Sequence, residues 1–337
     1  MKKKEIVCLM LLLMLVCLGG CKNASQQETK SLSKSPGQVE DVNVDIGVLR
    51  GPTAISIVKM IDKKPSLGEG VKVNYAVEQS PEVLSSKLLS EEMEMATIPT
   101  NMAASLYNKG VPYQLAAVNT WGVMYLLSND LTINNWTNLK GKQIGAVSKG
   151  ASSDVVFKYL LSQNGINPEK DVTLNYNPSP VELAQMLIAG KTDIAVLPEP
   201  WVSMVQSKKP QVKMILDLQK EWTKIQGSDT PFAQTCLVVN RKFASEHPEI
   251  VNAFLEEYAQ SIAWVNQNTE STADLLKKHD LGIAPELAQA AIPRCNLRYM
   301  SSKDARPAVE KYLKVLMDFS PETIGGKVPD DKFYYQK

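Results

Sequence analysis

Hydrophobic and polar positions along most of this chain switch between a period of two, as in strands, and a period near 3.6, as in helices. Residues 42–49 (VNVDIGVL) read as a strand, and a helix follows in which Ala54, Ile57, Val58 and Ile61 share one face. Thr53 is the expected N-cap of that helix. Residues 71–77 and 93–98 are further strands, with short helices at 81–90 and from 100 to 108. Residues 113–118 and 123–128 are strands flanking Asn119, Thr120 and Trp121. A second unit repeats the alternation: strands at 142–148, 172–177, 192–197 and 213–218, and helices after Gly150, at 181–190 and after Pro200. Residues 235–240 form one more strand. The rest reads as helices at 248–267, 270–279, 285–292 and 303–319, with no periodicity after Ser320.

Short strand–helix units in this order predict an α/β fold with helix-covered sheets. Four helices crowd the C-terminus, so two lobes fit better than an eight-unit barrel or one continuous domain. No GxGxxG follows a strand, which leaves no dinucleotide fingerprint.

The first forty residues follow other rules. Lys2, Lys3 and Lys4 precede an uncharged apolar run over residues 6–18, then Leu18-Gly19-Gly20-Cys21. This is the three-part pattern of a secretory signal. The run is short of the ~20 residues a spanning helix needs. Residues 22–38 are rich in Ser, Gln and Lys and read as a flexible tether. Without residues 1–20, which hold three lysines and Glu5, the chain keeps 34 basic and 35 acidic residues. That balance excludes the basic excess of a nucleic-acid binder.

Of five cysteines, Cys236 and Cys295 lie beyond Cys21; their flanks (TCLVV, PRCNL) read as buried, and free thiols are expected rather than a disulfide. The two histidines, His247 and His279, are expected at the surface, and no Cys/His spacing suits a metal. No cofactor is expected.

Four strand-to-helix junctions carry the candidate chemistry: LRGPTA (49–54), TIPTNMA (97–103), SKGASSD (148–154) and LPEPWV (197–202). Ligands of open α/β sheets bind outside the carboxyl ends of strands, where helix starts offer free N–H groups and partial positive charge. Trp121 and Trp201 could stack on a flat or cationic ligand or pack in the core. Glu199 could accept N–H groups of a ligand or act as a first-turn helix charge. Arginine is scarce, five against 32 lysines, and Arg50 alone lies near a junction.

LGGC resembles the lipobox of bacterial lipoproteins, in which the cysteine is diacylated. With the polar tether, LKGKQIGAVSKGASSD (139–154), TDIAVLPEPW (192–201) and the helical C-terminus, the chain is similar to the substrate-binding proteins of ABC importers. The group it resembles binds nitrate, sulfonates, taurine or thiamine-pyrimidine precursors. The resemblance implies a type II periplasmic-binding-protein-like fold. In it, two lobes, each a mixed sheet covered by helices, join through a hinge of two crossover strands. Lobe one would hold residues 41–128 and 234–337, and lobe two 129–233, with crossovers near 125–130 and 232–237. Ligand-facing positions implied are Arg50, Gly51, Pro52, Thr53, Thr97, Thr100, Asn101, Thr120, Trp121, Ser152, Ser153, Glu199 and Gln234, to which Trp201 is added. The expected partners are a small organic ligand, sulfonate-like or nitrogenous, an ABC permease with its ATPase, and the membrane through Cys21, with the protein itself a monomer on the outer face. A sensory lipoprotein of the same fold is the alternative. The related pyrimidine-forming enzymes carry a cysteine-rich motif that this chain lacks.

The anchor has a direct test. Palmitate labelling should mark the wild-type protein and not Cys21→Ala, which should appear in the medium. Undiminished label in the variant would refute the lipobox.

Overall fold

The computed structural model describes residues 41–337 apart from Ser148, Pro178, Asp229 and Gly282. The signal, tether and Cys21 lie outside the described residues. The chain opens with β1 (Val42–Leu49), α1 (Pro52–Lys63), β2 (Val71–Glu78), α2 (Pro81–Leu89), β3 (Met95–Pro99), α3 (Thr100–Asn108) and β4 (Tyr113–Trp121). A second unit follows: β5 (Met124–Ser128), β6 (Gln143–Val147), α4 (Ser152–Gln163), β7 (Thr173–Asn177), α5 (Pro180–Ile188), β8 (Ile194–Pro198), α6 (Trp201–Lys208), β9 (Lys213–Asp217) and α7 (Leu218–Gln226). The chain then returns through β10 (Ala233–Asn240), α8 (Arg241–Glu246), α9 (Pro248–Gln267), α10 (Thr269–Lys278), α11 (Pro285–Ala291), β11 (Leu297–Ser301) and α12 (Ser302–Phe319).

These strands build two mixed sheets, ordered β11-β4-β10-β3-β1-β2 and β7-β6-β8-β5-β9. In the first, β1 runs parallel to β2 and β3, while β10 lies antiparallel between β3 and β4. In the second, β6 is parallel to β7 and β8, and β5 is antiparallel to β8 and β9. Fold class is therefore the mixed, helix-covered α/β architecture expected. The crossover differs from expectation: β5, placed by sequence in lobe one, pairs with β8 and β9, so the chain leaves the first sheet at Gly122–Val123. The reason is its hydrophobicity. Every residue of β5 is buried, and a strand buried on both faces belongs inside a sheet.

Two runs of chain thus join the sheets, and they touch. Trp121 and Ala233 are register partners. Gln234 Oε1 accepts from Val123 N at 2.8 Å, and Gln219 Oε1 accepts from Phe232 N at 3.1 Å. Asn296 Nδ2 donates to the Gly122 carbonyl at 2.6 Å. Gly122 has φ +46°, and a Cβ there would lie 2.5 Å from Gln219 Oε1. Aromatic rings fill the space behind: Phe232 lies 5.7 Å from Trp222 and 5.0 Å from Tyr312.

The C-terminal residues pack despite lacking periodicity. Phe333, Tyr334 and Tyr335 are buried, and Tyr335 N donates to the Leu115 carbonyl at 2.9 Å. Cys236 and Cys295 are free and buried, and burial pushes the Cys236 thiol up to about 12. Among the described residues, no helix is long and apolar enough to cross a membrane.

Gly122→Ala should cost about 1–3 kcal/mol in urea unfolding, combining a left-handed backbone with a close contact. A loss below the error of the measurement would show that the crossover yields freely.

Candidate functional site

The carboxyl ends of β1, β4 and β8 and the start of β10 meet around a cavity of about 530 Å³. Its walls come from both sheets. Arg50, Gly51, Pro52, Thr53, Thr120 and Gln234 belong to the first, and Glu199 and Trp201 to the second. Gln79, Val123, Thr235 and Ile283 also line it, none of them among the positions expected from sequence. Thr235 follows Gln234 and shares its strand end, a signal present in the sequence, whereas Gln79 and Ile283 arrive only through tertiary packing.

The caps explain why these ends are open. Among helices that directly follow strands, α2, α5, α7, α8 and α12 carry side-chain caps from Ser80, Ser179, Asp217, Asn240 and Ser301. Helices α1, α3, α4 and α6, which begin at the four junctions, have none. The expected N-cap Thr53 is instead inside α1. Gly51 takes the cap position, and Thr53 Oγ1 donates back to the Leu49 carbonyl. Pro52 lacks an N–H, and Ile55 N closes the first backbone bond on Gly51. The amide of Thr53, a residue of the cavity wall, is thereby left without a partner from the helix.

Charges differ sharply between the two walls. Gln79, its amide oxygen turned to Arg50, accepts from Nη2 and Nε at 3.3 and 3.2 Å. None of the ion pairs among the described residues involves Arg50. Glu199, by contrast, is fully committed. Arg294 Nε donates to its Oε1, and Ser203 donates to its Oε2 from N at 3.1 Å and Oγ at 2.9 Å. Arg294 Nη2 also bonds Ser203 Oγ at 2.7 Å. Burial pushes the Glu199 carboxyl above its usual range, and Arg294 and Ser203 pull against that rise. Thr120 is buried, and its Oγ1 has no partner. A buried hydroxyl without a partner costs free energy unless something else fills the role.

Other expected residues lie elsewhere. Trp121 points away from the cavity: its Nε1 donates to the Arg298 carbonyl at 2.9 Å, and the Arg298 guanidinium covers its ring at 4.8 Å. Thr97 Oγ1 accepts from Leu49 N inside the sheet. Asn101 Nδ2 donates to the Thr323 carbonyl at 3.3 Å, pinning the C-terminal turn. Thr100 is fully buried at the start of α3, with Oγ1 unpartnered. Ser152 opens α4 beside the buried Tyr312 of α12, and Ser153 is half-buried. Neither serine lines the cavity, because α4 packs directly on α12. His279 is engaged with Asp62 at 3.0 Å.

Residues 37–278 match the NMT1-like family. The chain belongs to that family. A Bacillus subtilis (strain 168) protein named "Putative binding protein YtlA" is 21% identical over 324 residues, 94% of this chain and 90% of its own. A second, named "Putative aliphatic sulfonates-binding protein", from the same organism, is 24% identical over 280 residues, 82% of this chain and 77% of its own. The crystal structure of an ABC transporter protein from Parabacteroides distasonis superposes with a TM-score of 0.77 at 28% identity. It covers 88% of this chain and 100% of that one.

Arg294→Met should destabilise the NMT1-like fold by about 2–4 kcal/mol, short of a fully buried pair because Arg294 is partly exposed. Adding Glu199→Gln should restore much of the loss, which a double-mutant cycle reads. The pH dependence has a defined sign. A carboxyl raised in the folded state holds its proton longer than in the unfolded chain, so its contribution falls as pH rises from 4.5 through the raised value. That fall should be steeper in Arg294→Met than in wild type. An equal slope would mean that Arg294 does not act on Glu199.

Proposed function

We propose that this protein is the extracytoplasmic solute-binding subunit of an ABC importer, held to the membrane by lipid on Cys21, and that it captures a small organic anion. Family membership supports the solute-binding role. The observation that carries the anionic class is Arg50, a guanidinium in the cavity wall whose polar partner is the neutral amide of Gln79. A guanidinium fork beside the free helix-start amide of Thr53 suits a sulfonate or carboxylate head. A sulfonate ligand also agrees with the name of one relative. A nitrogenous head directed at Glu199 finds less support, because Arg294 and Ser203 occupy that carboxylate.

The mechanism follows from the cavity having walls on both sheets. Separation of the lobes at the paired crossovers exposes Arg50 and the start of α1. A bound ligand touches both walls together only when the lobes approach, so it favours the closed population. The closed monomer then docks on a permease driven by its ATPase. In this reading lobe one comprises residues 41–121 and 233–337, and lobe two comprises 124–226.

Calorimetry and thermal shift against ethanesulfonate, butyrate and ethylammonium test the reading. Either anion should bind and ethylammonium should not. Arg50→Met should weaken anion binding by about 10- to 100-fold, the range of a hydrogen bond to a charged group, while moving the ligand-free melting temperature little. Equal anion affinity in Arg50→Met, or binding of the cation alone, would sink the proposal.

A further inference from the structure

A chain of buried hydrogen bonds runs behind the cavity and joins two of its walls. Thr235 Oγ1 bonds Asn119 Oδ1 at 2.7 Å, and Asn119 Nδ2 bonds Tyr258 OH at 2.6 Å. Tyr258 OH lies 2.7 Å from Ser56 Oγ, which is 2.6 Å from the Thr53 carbonyl. Asn119, Tyr258 and Ser56 are fully buried, so no solvent competes for the bonds among them, while Thr235 is half-buried at the cavity end.

The direction of every proton is set from one end. A carbonyl only accepts, so Ser56 donates to Thr53. Ser56 has a single proton and must therefore accept from Tyr258. Tyr258 has then spent its own proton, so it accepts from the amide of Asn119. That leaves the Asn119 oxygen facing Thr235, and Thr235 must donate inward. Thr53 Oγ1 likewise spends its proton on the Leu49 carbonyl. Two hydroxyls of the cavity wall, Thr53 and Thr235, are thus acceptors only. Donors come from elsewhere: the Arg50 fork, the Thr53 amide, and the Gln234 amide nitrogen, whose oxygen is taken by Val123 N. The unpartnered, buried Thr120 hydroxyl can turn either way.

An anionic head satisfies the donors and nothing else. A wholly aliphatic tail would displace water from the half-buried Thr235 hydroxyl and offer its lone pairs no donor, and covering an acceptor without matching it is costly. Building on the anion reading above, we infer that the cleft selects an organic anion that also carries a hydroxyl or amine donor. Tyr258 is the positioning residue that enforces this choice, by fixing which way the Thr235 proton points. It never touches the ligand.

The test is a pair of near-isosteric probes, 2-hydroxyethanesulfonate and propane-1-sulfonate, with 3-hydroxypropanoate and butyrate as the carboxylate pair. On the wild-type protein, calorimetry should give the hydroxylated member of the binding pair an affinity at least tenfold higher. Thr235→Val should bring the ratio close to one, Thr235→Ser should keep it, and Tyr258→Phe should reduce it whichever way the absolute affinities move. A purely structural tyrosine would alter both members of a pair alike. Equal wild-type affinities, or a ratio that survives Thr235→Val, would overturn the inference and leave the anion reading intact. Failure of all four probes to bind would instead overturn the anion reading.

Discussion

The two crossings between the sheets lie side by side, and that pairing governs the rest of the molecule. Val123 N on Gln234 and the pairing of Trp121 with Ala233 tie the outgoing and returning chain together, and Phe232 N on Gln219 fixes the returning chain to α7. Buried backbone amides need partners, so side-chain amides take over where the sheet ladders stop. Gly122 lets the two runs approach closely enough for this. Once the crossings are joined, the end of β4, the start of β10 and the end of β8 must face one another. The cavity is the space they leave.

Within that space, polar groups divide into those used by the fold and those left open. Glu199 is used: Arg294, on the turn Ile292–Arg294 before β11, reaches over to the β8–α6 junction, and Tyr125 OH holds the Arg294 carbonyl at 2.8 Å. An ion pair half out of water adds little by itself, yet removing one partner strands the other. Arg50 is left open, as is the start of α1, whereas Glu199 closes the start of α6 by accepting from Ser203 N. The capped helices of the same sheets show that this chain supplies Ser, Asp or Asn where a helix start is to be closed. An open start and a guanidinium without a carboxylate mark where the protein's free hydrogen-bonding capacity is concentrated.

The sequence announced much of this. The two periods placed nearly every strand and helix, and the boundaries at 248–267 and 285–292 lie within one residue of α9 and α11. Helix α7 was missed because its residues are mostly polar. Its signal was present in Asp217 as cap and in Leu218, Trp222 and Ile225 at i, i+4 and i+7. β11 had no comparable signal, since LRYMS becomes a strand only by lying against β4. The C-terminal tail was unreadable for the same reason: Phe333 and Tyr335 are core residues supplied by isolated aromatics, without a period.

For the site, the sequence by itself determined which strand ends carry small residues and prolines ahead of a helix, because backbone geometry and capping are local. It could place Arg50, Thr53, Glu199 and Gln234 at such ends. Which of these stay free was decided in three dimensions. Glu199 met Arg294 from 95 positions away, Trp121 turned under Arg298, and Ser152 went beneath α12. The direction of the Thr235 proton depends on Asn119, Tyr258 and Ser56, three residues on three elements. Hydrogen bonding and charge pairing act over a few ångströms of space, and only the folded chain brings those partners within reach.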